Sequence, residues 1–240
     1  MRLHRFNVVQ PLGEDVVIDD VSLISQWTKV FRYKVGDFVI LFNGDGNDYS
    51  YSLKNISKKT CALKKHETLS SYIPTKKTYL YLSIIKKDLF ELVVQKASEL
   101  GVTCIVPLIS ERTEKKSLDL RRLSLISKEA SEQSGRGDVL SIAPPISLKK
   151  INSHLEQHAI LPVHTFATTL FGIPVARLLE KSKNNTKSIT SAFIVGPEGG
   201  WTDEEERFLE EQHFVRVSLG HTTLRAETAG IVSSFLSTLL

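Results

Sequence analysis

The stretch Ile194-Val195-Gly196-Pro197-Glu198-Gly199-Gly200-Trp201-Thr202 decides the reading of this chain. An apolar run, Ser191–Val195, predicts a strand. A turn of glycines and proline follows. Thr202 then stands three residues before Glu205, the spacing of a capping box, so the turn opens a helix over Asp203–Gln212. Glycines at the carboxyl end of a parallel strand let a ligand approach the backbone closely, and open parallel sheets bind ligands at that edge. The turn has neither Gly-x-Gly-x-x-Gly nor Gly-Lys-Ser/Thr, which makes a dinucleotide fingerprint a poor match and excludes a phosphate-cradling P-loop. The acidic run Asp203-Glu204-Glu205-Glu206 suits the positive end of a helix dipole and repels phosphate. The expected ligand is therefore not strongly anionic, an adenosyl sulfonium for instance. By composition alone, a tight and well-capped βα turn explains the segment equally well.

Toward the carboxyl end a second turn has the same grammar. A strand over Phe214–Leu219 leads into Gly220-His221-Thr222-Thr223-Leu224-Arg225, and an apolar helix starts at Glu227 and runs to about Leu239. Arg225 and Glu227 stand at its mouth, where a charge is costly unless it is paired or serves a site. A dipole-favourable Glu227 beside a surface Arg225 is the plainer alternative.

Upstream the rhythm is strand then helix. Thr78–Ile85 alternates as a strand. Asp88-Leu89-Phe90-Glu91 has the pattern of a capping box, with Leu89, Leu92, Val93, Ala97 and Leu100 at helical spacing and Gly101 as the stop. Val102–Leu108 reads as a strand, and a helix over Leu118–Ser134 buries Leu123, Ile126 and Ala130. A strand is expected over Ala159–Val163 and a helix over Pro174–Lys181. Such alternation predicts a parallel sheet covered on both faces. Residues 1–72 differ. Val16–Ile18, Phe38–Phe42, Tyr49–Leu53 and Thr60–Leu63 are short β runs punctuated by Asn-Gly and Asp-Gly, the signals of hairpins in a small barrel. Leu69–Lys77, with Pro74, reads as a linker between residues 1–72 and 73–240.

Composition narrows the class. Of the 240 residues, 41% are hydrophobic and 24% charged, ordinary for a globular protein. No apolar run is long enough to span a bilayer, and Met1–Gln10 lacks the apolar core of a secretory signal. Cys61 and Cys104 lie far apart, which predicts reduced thiols, no metal site and a cytoplasmic protein. The net charge of +4 is unevenly spread. Residues 1–150 hold 24 Lys and Arg against 17 Asp and Glu, a surplus of +7, while residues 151–240 hold 7 against 10, or −3. A polyanion bound through the front half fits that asymmetry, and so does a plain lysine-rich surface.

The two turns together resemble the RsmE family, the 16S ribosomal RNA (uracil-N3)-methyltransferases of the SPOUT class. Gly196-Pro197-Glu198-Gly199-Gly200, then Leu219-Gly220, then Leu224-Arg225-x-Glu227-Thr228-Ala229 is similar to the family's C-terminal signature. The similarity extends to Met1-Arg2-x-x-Arg5-Phe6, Lys29-Val30-Phe31-Arg32 with Val35-Gly36-Asp37, Gln95-Lys96-Ala97-x-Glu99-Leu100-Gly101-Val102, Ser110-Glu111-Arg112 and Glu129-Ala130-x-Glu132-Gln133-Ser134-x-Arg136. The chain departs from the pattern at Thr222-Thr223, before Leu224-Arg225, where the family commonly has a basic residue. It departs again at Gln26-Trp27, where histidine is frequent.

The resemblance implies an α/β fold, a trefoil-knotted parallel-sheet methyltransferase domain after a small PUA-like β-barrel. It implies S-adenosylmethionine as cofactor, small-subunit ribosomal RNA as partner, and a homodimer. Gly196, Pro197, Glu198, Gly199, Gly200, Leu219, Gly220 and Leu224 would hold the cofactor, with Leu219 and Leu224 on the adenine faces and a third wall around His164–Ala167. Arg225, buried beside the slot, would stabilise charge on uracil O2 and O4, and Glu227 would orient it. Glu198 is a further candidate for base or orienting group. RNA contacts are expected from Arg2, Arg5, Arg32, Arg112 and Arg136, and less from His4, from Trp27 (where core packing is favoured) and from Lys58, Lys59, Lys64 and Lys65. A SPOUT enzyme acting on another ribosomal or transfer RNA base and a non-catalytic RNA-binding module are the alternatives. A nicotinamide-dependent dehydrogenase is disfavoured by the glycine spacing.

Overall fold

Strands of two kinds sort into two sheets. In a computed structural model of the chain, residues 3–114, 117–161, 164–182 and 190–239 are described. The chain divides into two compact units, Met1–Ile73 with Ser131–Val139, and Pro74–Ala130 with Leu140–Leu240.

The first unit carries β1 (Arg5–Asn7), β2 (Asp15–Ile18), α1 (Val21–Ser25), a π-helical turn (Gln26–Val30), β3 (Phe38–Phe42), β4 (Asn47–Ile56) and β5 (Cys61–Ser70). The sheet order is β1-β3-β4-β5-β2, with β1 parallel to β3 and the other pairs antiparallel. Trp27 is fully buried here, edge-on to Phe6 at 5.3 Å between ring centroids, so it is a core residue and not a base platform. Full burial of such a ring stabilises by about 2–3 kcal/mol. The expected linker is partly strand, since Leu69 and Ser70 end β5. Tyr72 bridges to Arg136, and its carbonyl accepts from Gly137 N at 2.7 Å. Gly137 cannot carry a side chain, because a Cβ there would lie 2.1 Å from Ser71 Oγ. These contacts join Ser131–Val139 to the barrel, which no local pattern announces.

The second unit carries β6 (Thr78–Ser83), α2 (Lys87–Glu99), β7 (Cys104–Ile109), α3 (Leu120–Ser134, whose last turn belongs with the barrel), β8 (Ser141–Ile142), β9 (Ile146–Ser147) and α4 (Ile151–Gln157). Then follow β10 (Thr165–Pro174), α5 (Val175–Ser182), β11 (Ser191–Val195), α6 (Asp203–Glu211), β12 (Val215–Ser218) and α7 (Ala226–Leu239). The all-parallel sheet runs β12-β10-β11-β6-β7-β8, with β9 also on β7. One face buries Leu80, Leu82, Phe90, Val93, Phe193 and Ala229, and the other buries Tyr81, Val106, Ile151, Ile194 and Leu209. Strands buried on both faces explain why these runs are continuously apolar. From the edge strand β12 the chain returns, and α7 packs on α2, β6 and β11.

Three local expectations are corrected. The helix α2 begins at Lys87 with Lys86 in the cap position and no side-chain cap, so Asp88 lies in its first turn instead of capping it. Of the strand expected over Ala159–Val163, the described residues Ala159, Ile160 and Leu161 are not strand. Ala159 has φ 54° and Ile160 N donates to Leu155 O, so these residues close α4, and the apolar Ile160 packs back on Leu155. Pro162 and Val163 lie outside the described residues, and the strand runs instead over Thr165–Pro174. Pro174 ends that strand and the helix follows it, so the expected helix start shifts by one residue. Elsewhere Leu123, Ile126 and Ala130 are buried as expected.

Candidate active site

The turn after β11 is fastened from several sides. The Thr202 side chain accepts from Glu205 N while the Glu205 carboxylate accepts from Thr202 N, a complete capping box worth about 1 kcal/mol. Gly196 lies under the Trp201 indole, where a Cβ would come within 3.0 Å of the ring. Arg112 reaches across from the segment after β7, and its Nη1 donates to Gly199 O at 2.7 Å and to Trp201 O at 3.1 Å. The turn after β12 joins it around one cleft of about 910 Å³, the size of a small-molecule site.

Gly196, Pro197, Glu198, Gly200, Leu219, Gly220 and Leu224 all line this cleft, as do Arg225 and Glu227. Gly199 is turned away, with its carbonyl on Arg112. The third wall is not His164–Ala167. Phe166 and Ala167 are buried strand residues, and Thr168 and Thr169 just beyond them line the cleft. The expected buried guanidinium is also corrected. The Arg225 side chain is 86% exposed, whereas that of Glu227 is 11% exposed at the start of α7. Their closest approach is 4.0 Å, too long for a hydrogen bond. Glu227 instead suits the positive end of the α7 dipole.

The lining fits an adenosyl ligand bearing a sulfonium. Small residues and the Trp201 ring are part of that lining. Four carboxylates (Glu198, Glu206, Glu210, Glu227) face three cations (Lys86, Arg216, Arg225), so the lining favours a positive ligand over a phosphate.

Comparison with known proteins points the same way. A profile of the RNA methyltransferase domain matches residues 72–237, and one of the RNA methyltransferase PUA domain matches residues 28–65. The ribosomal RNA small subunit methyltransferase E of Rickettsia conorii is 32% identical over 97% of this chain and 94% of its own length. The chain belongs to the RsmE family. The structure of the RsmE of Neisseria gonorrhoeae, bound to S-adenosylmethionine, matches with a TM-score of 0.85 at 26% identity, covering 97% of this chain and 95% of that one. A Legionella pneumophila protein solved with the same cofactor bound matches with a TM-score of 0.83 at 28% identity over 100% and 97%. The fold is that of a SPOUT RNA methyltransferase behind a PUA-like barrel.

The arginines expected on RNA separate into groups. Arg5 is consumed within the first unit. Its side chain is 8% exposed, it forks onto Asp48 at 2.6 and 2.7 Å, donates to the carbonyls of Ser131 and Arg136, and stacks 4.4 Å from Phe42. Arg136 is 3% exposed and pairs with Asp138 at 2.5 Å. Neither presents its guanidinium to a phosphate, because burial and pairing have already used it. Arg112 is exposed but fastened to the glycine turn. Arg32 is exposed with φ 57°, and Arg2 lies outside the described residues. Among weaker candidates, His4 is exposed, and its Nδ1 lies 2.6 Å from Tyr33 Oη.

Sequence reading gave no role to Trp201, Thr168, Thr169, Lys86, Glu210 or Arg216, and saw Glu206 only as part of an acidic run, yet all of them line the cleft. Trp201 had a signal, an aromatic five residues after a strand-ending glycine. The others come from strand pairing and helix facing, which single segments do not reveal. Among the described residues no three or more His, Cys, Asp or Glu gather as for a metal, and no helix is long and apolar enough to cross a membrane.

Proposed function

We propose that this chain transfers a methyl group from S-adenosylmethionine to N3 of a uridine in 16S ribosomal RNA of the small subunit, acting as a cytoplasmic homodimer. The observation that carries the reading is the single cleft shared by both glycine-bearing turns, Arg225 and Glu227. Bound in that cleft, S-adenosylmethionine would supply an electrophilic sulfonium methyl with a neutral thioether as leaving group.

The protein's own task is to hold the base in line and to manage one proton. Gly196–Gly200 and Leu219–Leu224 form the walls that position an adenosyl group and exclude water from it. Uracil N3 carries a proton at neutral pH, so negative charge spreads to O2 and O4 as that proton leaves. Arg225, exposed at the cleft, offers its guanidinium to that charge. The proton needs a carboxylate, and Glu198 and Glu227 are the candidates beside the two turns. Glu227 is the more sheltered of the two. Arg32 supplies an exposed cation for the RNA backbone.

The test uses small ribosomal subunits from a strain lacking the N3-methyluridine, incubated with the purified protein and methyl-labelled cofactor. Nuclease digestion and mass spectrometry should recover the label in 3-methyluridine from 16S RNA. Label in any other nucleoside, or none in RNA, overturns the proposal.

A further inference from the structure

One group of charges in the cleft belongs to neither turn. Arg216, on the edge strand β12, sends Nη2 to Glu206 Oε2 at 2.6 Å and to Thr169 Oγ1 at 3.1 Å, while Nη1 reaches Glu210. All four residues line the same cleft as Gly196 and Leu219. The group is built into the fold. Thr168 and Ile173 of β10 both pair with Val217, so the residues between them bulge out of the ladder and carry Thr169 beside Arg216. Gly172 closes that bulge against β12, where a Cβ would lie 2.6 Å from the Arg216 carbonyl carbon. The two glutamates stand one turn apart on α6, an arrangement that mildly destabilises a helix unless a cation answers it.

The side chains of Arg216, Glu206 and Glu210 are 29%, 35% and 55% exposed. At such exposure ion pairs add little stability, so holding the helix to the strand is a weak reason for the group. Its chemistry is specific. Two carboxylates on one guanidinium leave an acceptor surplus for an ammonium. The guanidinium has more N–H donors than these partners use, and the Thr169 hydroxyl lies beside it, which suits a carboxylate. A ligand end carrying both charges is an α-amino acid.

We propose that Arg216, Glu206, Glu210 and Thr169 form the subsite for the zwitterionic amino-acid end of the methyl donor. The proposal rests on the reading of the cleft as an S-adenosylmethionine site, and the experiment separates the two. Calorimetry compares S-adenosylhomocysteine with 5′-methylthioadenosine. Both are neutral adenosyl thioethers, and only the first carries the amino acid. The unaltered protein should bind S-adenosylhomocysteine more tightly by about tenfold or more, the scale of charge-assisted bonds. Arg216→Gln and Glu206→Gln should each lose most of that ratio while keeping the affinity for 5′-methylthioadenosine, which also reports that the variant is folded. Should Arg216→Gln not fold, Glu206→Gln and Thr169→Val carry the test. Glu211→Gln, on the exposed side of the same helix, should keep the ratio. A ratio unchanged in the variants, or both ligands weakened equally, overturns the subsite and leaves the cofactor reading intact. An unaltered protein that binds no adenosyl ligand overturns the cofactor reading itself.

Discussion

The two turns that wall the cleft share a glycine-bearing sequence and differ in how they are held. The turn after β11 has a capping box at its exit, an indole over Gly196 and a guanidinium on its carbonyls. The turn after β12 has Ser218 Oγ donating to Gly220 O at 2.8 Å, while Gly220, His221, Thr222, Thr223 and Arg225 are exposed. A Cβ on Gly220 would meet nothing within 4 Å. A wall fixed in advance spends no binding energy on ordering itself. A loosely tethered wall carrying the reactive cation can adjust to an RNA base. On the proposed reading both turns wall the donor, and the acceptor is met by the turn after β12 alone.

The largest expected effect tests that division. Arg225→Ala should lower the rate of methyl transfer by about 10²–10³-fold, the usual cost of removing one charge-stabilising donor, while cofactor affinity measured by calorimetry stays unchanged. A parallel fall in affinity would show that Arg225 itself holds the donor, and the division would break. Next come two alanines placed at equivalent points. Gly196→Ala pushes a methyl against the Trp201 ring and should cost about 1–3 kcal/mol in cofactor binding or stability. Gly220→Ala has open space and no left-handed backbone, so it should stay within about 0.5 kcal/mol. Equal penalties in affinity and melting temperature would erase the contrast. Arg112→Ala sharpens it further. Losing the bonds to Gly199 and Trp201 should weaken cofactor binding by about 1 kcal/mol, and do so without RNA present. Arg32→Ala should leave cofactor binding alone and reduce the salt slope of RNA affinity by about 1.

Much of this was legible because periodicity and caps are local. The strand Ser191–Val195 matches the expectation residue for residue, and Thr202 with Glu205 forms the expected box. Pairing partners are not local. Nothing in Arg5 or Arg136 announces Asp48 or Asp138, so two arginines that look ready for RNA are internal ties. Arg225 shows the reverse. A charge at a helix mouth invites a buried pair, yet the chain leaves it in solvent 4.0 Å from Glu227. Gly172 and the bulge of β10 depend on where β12 lies, a fact that enters only once the sheet is assembled.

The smallest effect reaches the held turn from beneath. Ile194, two residues before Gly196, pairs with Tyr81 of β6. The Tyr81 hydroxyl lies 2.8 Å from His154 Nδ1 on α4, and burial raises the tyrosine's pKa and keeps the phenol protonated. Burial also favours the neutral imidazole. Burial lowers the His154 pKa from 6.5, and His158, with ring centroids 4.5 Å apart, adds to the shift. A histidine whose folded pKa is depressed binds more protons when unfolded. Its contribution is therefore fully present above 6.5 and is lost as pH falls from there through the lower folded value. Thermal melts at constant ionic strength from about pH 7.5 to about pH 5.5 should fall for the unaltered protein, and His154→Gln, which keeps a polar partner but does not titrate, should flatten that fall. If acid lowers cofactor affinity along with stability, and His154→Gln removes both effects, then the fastening of the Gly196 turn extends through β11 and β6 to α4. If stability alone responds, the fastening ends at Trp201, Arg112 and the capping box.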